Sequence, residues 1–256
     1  MVQAQPPIAV NPRHYKYYDL VMAAFVTVLL CSNLIGPGKI CALTLPFSIP
    51  LIGSVLKFGA GNIFFPISYI FDDVLTEVYG YARSRKVIWA GFAAMAFASI
   101  MGAVVIHLPF FQSPPDLPKG MVTNQERQTA LEICFGSTWR IVIASMIGFW
   151  VGDFANSYVL AKMKIWTRGK FLWTRTIGST IIGEGLDSLI FYPIAFYGIW
   201  TTEDMLAVIG INWVFKVAME VILTPATYAV VGFLKRAESE DYYDRNTNFT
   251  PFSLSD

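Results

Sequence analysis

Residues 205–234 read MLAVIGINWVFKVAMEVILTPATYAVVGFL. This stretch is long and apolar enough to cross a bilayer, which takes roughly 20 residues as a helix. Polar residues recur in it at every fourth position, at Asn212, Lys216, Glu220, Thr224 and Tyr228. Residues four apart share one face of a helix. The stretch therefore predicts a membrane helix whose single polar line faces other helices of the protein.

The composition of the whole chain is typical of a membrane protein. Of its 256 residues, 19 are Lys or Arg and 18 are Asp or Glu, so only 14% are charged, whereas soluble domains average about 25%. Mean hydropathy is +0.50. This composition excludes a disordered chain, and a net charge of +1 argues against a nucleic-acid binder. The N-terminal residues hold no short apolar run before a small-residue cleavage site, so we expect no cleaved signal peptide.

The apolar runs predict an all-α integral membrane protein with six transmembrane helices in one bundle. The expected spans cover about residues 18–35, 60–80, 87–108, 139–161, 171–200 and 205–234. Residues 40–56 are also apolar, but Pro46, Pro50 and Gly53 interrupt them, and prolines at this density break a helix. We expect a buried hairpin or re-entrant segment there, between the first two helices. Whether this segment crosses the membrane stays open.

The positive charges set the expected orientation. Twelve of the 19 basic residues lie before the first span, after the second, between the fourth and fifth, or after the sixth, and a thirteenth, Arg175, lies at the start of the fifth. Because cytoplasmic loops are rich in Lys and Arg, six spans put both termini in the cytoplasm. Residues 1–17 then form a cytoplasmic N-terminal tail, residues 18–236 the six-helix domain, and residues 237–256 a disordered cytoplasmic tail. The outer loop that follows the third span is expected to hold a short amphipathic stretch at 123–135.

Seven acids and one lysine lie within the expected spans, where charges are costly. They are Asp72, Asp73, Glu77, Asp153, Glu184, Asp187, Glu220 and Lys216. A charge at a helix centre costs about 2.5–3.5 kcal/mol on insertion scales, so these groups should not face lipid. We predict that they meet in a polar cavity at the membrane midplane. Two simpler pairings stay open: Asp73 and Glu77 with a basic turn residue such as Arg83, and Lys216 with Glu220 alone.

The motifs of membrane enzymes are weak or absent, so we expect a carrier and not an enzyme. Gly152-Asp153 lacks the first glycine of the Gly-x-Gly-Asp motif of intramembrane aspartyl proteases. Residues 72–77 (DDVLTE) are similar to the metal–diphosphate motif of membrane prenyltransferases, but a good second half is missing. A prenyltransferase-like enzyme is therefore the less favoured alternative. No His/Cys cluster has metal-ligand spacing and no phosphate-binding Gly-Lys-Ser/Thr loop occurs, so we expect no cofactor.

The polar residues of the spans suit a flat heterocycle that carries several N–H donors. Carboxylates accept such N–H groups, and an aromatic side chain can stack on the ring, which contributes about 1–3 kcal/mol per base. Tyr69, Trp150 and Trp213 lie close in sequence to the polar positions of their spans. The residues by themselves therefore favour transport of a small polar ring compound.

Several motifs resemble the bacterial queuosine precursor transporter family. They are FPISYIFD at 65–72, EVYG at 77–80, GDFANS at 152–157, GEGLDS at 183–188, and the run from Lys216 through Glu220 to Tyr228. The resemblance covers roughly residues 20–236. It implies import of 7-cyano-7-deazaguanine, 7-aminomethyl-7-deazaguanine or both across the bacterial plasma (inner) membrane. The family is also similar to the six-helix substrate-binding subunits of energy-coupling-factor vitamin transporters, so an uptake carrier for a different vitamin or nucleobase is the alternative.

This resemblance gives the polar residues of the spans a role in substrate binding. The candidate residues are Tyr69, Asp72, Asp153, Asn156, Glu184, Asp187, Asn212, Trp213, Lys216 and Glu220. We expect Glu184 or Asp187 to accept the ring N–H and the exocyclic amine, while the side chains at 153, 156 and 212 satisfy the other edges. Tyr69 or Trp213 is expected to stack on the ring.

The remaining candidates are expected to balance charge. Lys216 offsets the acids, Glu220 pairs with Lys216, and Asp72 either binds the solute or carries a proton. The expected partners are a small-molecule deazapurine and the lipid bilayer, and no nucleic acid. Four questions stay open: the driving force, an energy-coupling module as partner, homo-oligomerisation, and the preference between nitrile and aminomethyl solutes.

Overall fold

The computed structural model describes residues 15–34, 40–49, 53–113, 121–136 and 139–253. Its elements are helix α1 (Tyr18–Leu34), strands β1 (Ile40–Ile49) and β2 (Gly53–Gly59), and helices α2 (Phe65–Val74), α3 (Tyr81–His107), α4 (Asn124–Phe135), α5 (Trp139–Trp166), α6 (Leu172–Phe196) and α7 (Thr202–Glu238). A short 3-10 turn, Ala60–Ile63, precedes α2. The described chain is helical apart from one hairpin, in agreement with the predicted all-α class.

Large apolar side chains cover the outer faces of the long helices. Phe97 on α3, Leu189 on α6 and Ile222 on α7 are each more than half exposed. Exposed apolar surface of this extent suits contact with lipid. Among the described helices, α3 and α7 are long and apolar enough by themselves to cross a membrane. Helices α5 and α6 have 28 and 25 residues but carry acids at mid-length. The count of six spans remains a prediction.

Helices α5 and α6 approach each other closely through glycines. A Cβ added to Gly183 would lie 2.7 Å from the Cβ of Asn156 and 2.8 Å from the carbonyl oxygen of Gly152. A Cβ on Gly152 would lie 2.9 Å from the Cβ of Asp187. Small residues permit such contact between membrane helices. The close approach brings the polar side chains of α5 and α6 to one level of the bundle.

Helix α2 does not end at Val74 but continues as a π-helical segment, Leu75–Tyr79. Gly80 ends this segment with φ of 87°, a conformation that favours glycine. The ring of Tyr242 covers Gly80, since an added Cβ would lie only 2.2 Å from its Cδ1 atom. π-helical turns are rare and often mark functional sites. Here the segment carries Glu77 into the interior, where its carboxylate is fully buried.

The start of α1 and the end of α7 lie together. The hydroxyl of Tyr15 donates to Glu240 at 3.0 Å, and the backbone N–H of Tyr17 donates to Glu238 at 2.6 Å. Both described chain ends therefore lie at one end of the bundle, which we call the terminal end. The amphipathic helix predicted at 123–135 lies at the opposite end as α4, and Thr123 and Glu126 form its capping box.

The segment between the first two helices is a hairpin, but it is not buried as predicted. Strands β1 and β2 pair antiparallel, with Ile40 opposite Gly59 and Thr44 opposite Val55. Among the hairpin side chains that the structure describes, those of Ala42, Thr44, Pro46 and Phe47 are exposed. Prolines break a helix here, and the β-branched residues favour strands. The expected burial is wrong for these four side chains.

The C-terminal tail, residues 239–253, packs against the terminal end and is not disordered as predicted. The guanidinium of buried Arg85 donates to the carbonyl oxygens of Asn248 and Thr250 at 2.7 and 2.8 Å. The indole N–H of Trp89 donates to Pro251 O at 2.8 Å. The backbone N–H of Tyr81, at the start of α3, donates to the tail carboxylate of Asp244. Its polar composition suggested disorder, but cations and N–H groups of the bundle satisfy its backbone.

Candidate functional site

A cavity of about 340 Å³ lies in the half of the bundle away from the terminal end. We call it the solute cavity. Its walls come from the C-terminal halves of α1 and α6, the N-terminal halves of α5 and α7, the first turns of α2, and Met95 and Ser99 of α3. Binding pockets for small molecules typically measure about 300–1,000 Å³. The cavity is therefore large enough for one small solute.

Most of the predicted site residues come together in this cavity. Those that line it are Tyr69, Asp72, Asp153, Asn156, Glu184, Asp187, Asn212 and Lys216. Trp213 and Glu220 do not line it. Trp213 follows Asn212 and so points about 100° away around the helix. Its indole N–H donates to Ile181 O at 2.9 Å, outside the cavity wall. The position of Trp213 therefore gives no support to the alternative in which this ring stacks on the solute.

Lys216 joins α7 to α6 at the cavity wall. Its Nζ atom lies 2.6 Å from Glu184 Oε2 and 2.6 Å from Asp187 Oδ2. Glu184 and Asp187 are three residues apart and so share one face of α6. Lys216 balances acids, as predicted, but its partners are these two and not Glu220. The i,i+4 spacing permitted the Glu220 pair, yet α6 brings two carboxylates closer.

Asp72 holds the floor of the cavity through α5. It accepts hydrogen bonds from the Asn156 amide and, at 3.1 Å, from Ser157 Oγ. Ser157 Oγ also lies 3.0 Å from Thr76 Oγ1 and 2.9 Å from Ser84 Oγ. The carbonyl oxygen of the Asn156 side chain has no hydrogen-bond partner among the described residues. This network fixes Asp72 and leaves an acceptor beside the cavity.

Two further acceptors line the cavity. Asp153 has no hydrogen bond or ion pair to its carboxylate among the described residues, although it lines the cavity with α5. Asn212 donates from its amide nitrogen to Val208 O at 3.1 Å, which leaves its side-chain oxygen as an acceptor. Tyr69 is buried near Asp153 and near Lys216 with its two acidic partners. The cavity therefore has more acceptors than donors.

The sequence did not single out the aromatic side chains that line the cavity. Phe149 of α5 and Phe191 and Tyr192 of α6 line it. Tyr192 stacks with Phe196 at a centroid distance of 6.0 Å, and Phe196 stacks with Trp200 at 4.0 Å. The spacing of four residues between Tyr192, Phe196 and Trp200 was a signal that could have revealed this stack. These rings give a flat solute apolar faces to contact.

Beyond Asp72, towards the terminal end, a charge network closes the bundle. Glu77 receives two hydrogen bonds from Arg175, at 2.7 and 2.8 Å, and one from Lys235 at 2.5 Å. Lys164 Nζ lies 3.5 Å from Glu77 and 2.6 Å from Asp241, which also binds Lys235. We call these five residues the Glu77 network. It joins α2, α5, α6, α7 and the tail.

Pairing of Glu77 with Arg83, one of the possibilities left open by the sequence, does not occur among the described contacts. Arg83 instead donates to the carbonyl oxygen of Tyr79 and lies over the ring of Tyr15. Burial lowers the pKa of Lys164. Burial would raise the pKa of Asp241, but hydrogen bonds from Lys164 and Lys235 hold it below its usual range. Asp241 therefore stays ionised near neutral pH and holds the tail to Lys164 and Lys235.

Among the described residues, no group of three or more His, Cys, Asp or Glu side chains has the arrangement of a metal site. The residues of the solute cavity are instead held by one another, as the Lys216 and Asp72 contacts show. The geometry is that of a polar binding cavity inside an apolar bundle.

Comparison with known proteins identifies the family of the chain. A family model described as "Putative vitamin uptake transporter" matches residues 59–230, which include every predicted site residue. The chain belongs to this family. The match covers α2 through most of α7, the elements that build the greater part of the cavity wall.

Two curated relatives carry the name "Probable queuosine precursor transporter". One, from Bacillus subtilis, is 29% identical over 201 residues, which cover 76% of this chain and 80% of the relative. The other, from Haemophilus influenzae, is 24% identical over 201 residues, or 73% of this chain and 77% of the relative. No solved structure matches the chain with statistical significance. The family and the relatives support a membrane transporter of queuosine precursors.

Proposed function

We propose that the chain imports a 7-deazaguanine precursor of queuosine, 7-cyano-7-deazaguanine or 7-aminomethyl-7-deazaguanine, through the solute cavity. The observation that carries the proposal is the surplus of buried acceptors in this cavity. The buried side-chain oxygen of Asn156 has no donor among the described residues. The half-buried Asp153 accepts no described hydrogen bond, and the carboxylates of Glu184 and Asp187 share one lysine. A solute rich in N–H groups would supply the missing donors.

A deazaguanine ring meets these requirements. Its guanine-like edge presents a ring N–H and an exocyclic amine, and one carboxylate can accept both in a bidentate contact. Glu184 or Asp187 is the proposed acceptor, and Lys216 then faces the ring carbonyl. Buried donors and acceptors that lack a partner cost about 1–3 kcal/mol each, so pairing them with solute supports selectivity. Tyr69 or Tyr192 is the proposed stacking ring.

The position of the cavity supports an inward direction of transport. It lies in the half of the bundle away from the terminal end, and the Glu77 network and the tail close the other half. With both termini in the cytoplasm, as the loop charges predict, the cavity faces the outside. Solute would enter from there in a multi-pass protein of the bacterial inner membrane. Release requires the Glu77 network to open.

An enzymatic role has less support. A prenyltransferase-like site would need the carboxylates of residues 72–77 to converge on a metal, but Asp72 binds Asn156 and Ser157 while Glu77 binds three cations. The family description favours one alternative, an uptake carrier for another vitamin or nucleobase. An energy-coupling module or a second copy of the chain is a further partner compatible with the proposal.

The proposal is tested by uptake in a bacterial strain that lacks its own precursor synthesis and its own transporter. Queuosine in tRNA is measured at limiting external 7-cyano-7-deazaguanine. We expect the chain to restore queuosine, and Asp187→Ala or Glu184→Gln to abolish the rescue at equal membrane abundance. Glu203→Gln, at an exposed acid of α7, is the matched control and should behave as wild type.

Competition separates the alternative solutes. Excess unlabelled 7-cyano-7-deazaguanine should block uptake of the labelled compound, while biotin should not. Effective competition by biotin alone, or normal rescue by both acidic variants, contradicts the proposed substrate or the proposed site. Chemical conversion of the solute by the purified protein would favour an enzyme instead.

A further inference from the structure

Two buried carboxyl groups lie outside the solute cavity and outside the Glu77 network. Asp73 of α2 is 1% exposed and Glu220 of α7 is fully buried. None of their four carboxyl oxygens accepts a hydrogen bond from an N–H or O–H group of the described residues. Helices α2 and α7 pack against each other, and this packing brings the two carboxyls close enough to interact directly. A hydrogen bond between two carboxyls forms only when one of them carries a proton.

The surroundings of this pair disfavour two negative charges. The acids Asp72 on α2 and Glu184 on α6 face the pair and repel further negative charge, while the opposing group from α5 is the neutral amide of Asn156. Lys216, one turn from Glu220 on α7, is held by Glu184 and by Asp187. The cations beyond Asp73 are held in the Glu77 network in the same way. Two carboxylates side by side in a buried site do not both ionise, so a proton is the ligand that the pair lacks.

We propose that Asp73 and Glu220 form a proton-binding site that couples solute import to proton entry. The inference deepens the proposed function and rests on it for the coupling, though not for the presence of the proton. The pair lies at the level between the solute cavity and the Glu77 network. It is thus at the boundary that must open for release.

The positions of Asp73 and Glu220 along α2 and α7 link the pair to the solute cavity and to the Glu77 network. Asp73 follows Asp72, which lines the cavity, and precedes Glu77 by one turn. Glu220 follows Lys216 by one turn. Pro225 cannot donate to the carbonyl of Val221, so α7 lacks one helical hydrogen bond beside Glu220. A tilt of α7 at this point changes the distance between the carboxyls and, with it, their hold on the proton.

In the proposed transport cycle, the pair takes up a proton on the outer side and releases it on the cytoplasmic side. A proton from the outer side binds one carboxylate of the pair, and the resulting O–H donates to the other carboxyl. Opening towards the cytoplasm separates the carboxyls, the O–H bond breaks, and water on the cytoplasmic side accepts the proton. No electron is transferred and no covalent bond to the solute forms. One proton enters for each molecule of solute.

The first test detects the proton itself and needs no solute. The full-length protein in lipid is examined by infrared spectroscopy for the C=O stretch of a protonated carboxyl group near neutral pH. We expect a band that shifts in heavy water and that disappears in both Asp73→Asn and Glu220→Gln. Glu203→Gln should retain it. A wild-type protein without the band, or a band unchanged in both variants, overturns the proton site.

The second test measures coupling in proteoliposomes with labelled 7-cyano-7-deazaguanine. With one proton per solute, an inward gradient of one pH unit supports up to about tenfold accumulation in the wild type. Asp73→Asn and Glu220→Gln should only equilibrate the solute, with or without the gradient. Uptake by the wild type that ignores the gradient overturns the coupling. Absence of any wild-type uptake contradicts the proposed function instead, while the infrared result still decides the proton site.

Discussion

Glu77→Gln tests whether the Glu77 network stabilises the terminal end of the bundle. The carboxylate of Glu77 is fully buried and contacts Arg175, Lys235 and Lys164. The substitution leaves these three cations with one acid, the half-exposed Asp241. Removing one partner of a buried ion pair costs about 3–5 kcal/mol, because the remaining charge is uncompensated. At about 2–4 °C per kcal/mol for a chain of this size, Tm should fall by about 6–20 °C.

The melting temperature of the purified protein in detergent, followed by tryptophan fluorescence, measures this loss. Glu203→Gln on the exposed start of α7 should leave Tm within about 1 °C, since surface substitutions rarely change stability. Glu77→Gln combined with Arg175→Gln should recover part of the loss, because one uncompensated cation is removed with its partner. A Tm of Glu77→Gln within about 2 °C of wild type, or strictly additive losses in the double variant, would refute the reasoning.

Three further outcomes follow from the contacts described above. Asp153→Asn should weaken solute binding by about 10- to 100-fold without lowering Tm, because the carboxylate has no protein partner to lose; an equal affinity would remove it from the site. Gly183→Ala should lower the free energy of unfolding by about 1–3 kcal/mol and reduce uptake, because its Cβ would clash with Asn156. Gly210→Ala should leave both unchanged, because no atom lies within 4 Å of its Cβ. The contribution of Asp241 to stability should persist above the usual pKa of an aspartate and disappear only as pH falls through its lowered pKa; a Tm of Asp241→Asn that equals wild type near neutral pH contradicts this.

The helices and most of the cavity could be predicted from local patterns. Apolar runs fixed α1, α3, α5, α6 and α7 to within a few residues at most ends, because the bilayer demands about 20 apolar residues. The line of residues four apart on α7 predicted correctly that Asn212 and Lys216 share a surface. The cost of burying charge predicted that acids from separate helices would meet.

The sequence did not predict which residues of different helices contact each other. The spacing of four residues on α7 allowed Lys216 to bind Glu220. In the folded protein α6 brings Glu184 and Asp187 to Lys216 instead. The tail appeared disordered because its partners, among them Arg85, lie more than 150 residues away in the chain. Trp213 was assigned to the cavity from its neighbour, although adjacent helix residues point in different directions. Pairing over long sequence distances leaves no local signal.

The central claim is that the solute cavity binds one deazapurine through its acidic wall. Isothermal titration of the purified protein with 7-cyano-7-deazaguanine tests it most directly. We predict one molecule bound per chain, with affinity lower by at least about 100-fold in Asp187→Ala and unchanged in Glu203→Gln. Absence of binding to a folded wild-type protein, or binding that survives Asp187→Ala at full affinity, would contradict the account.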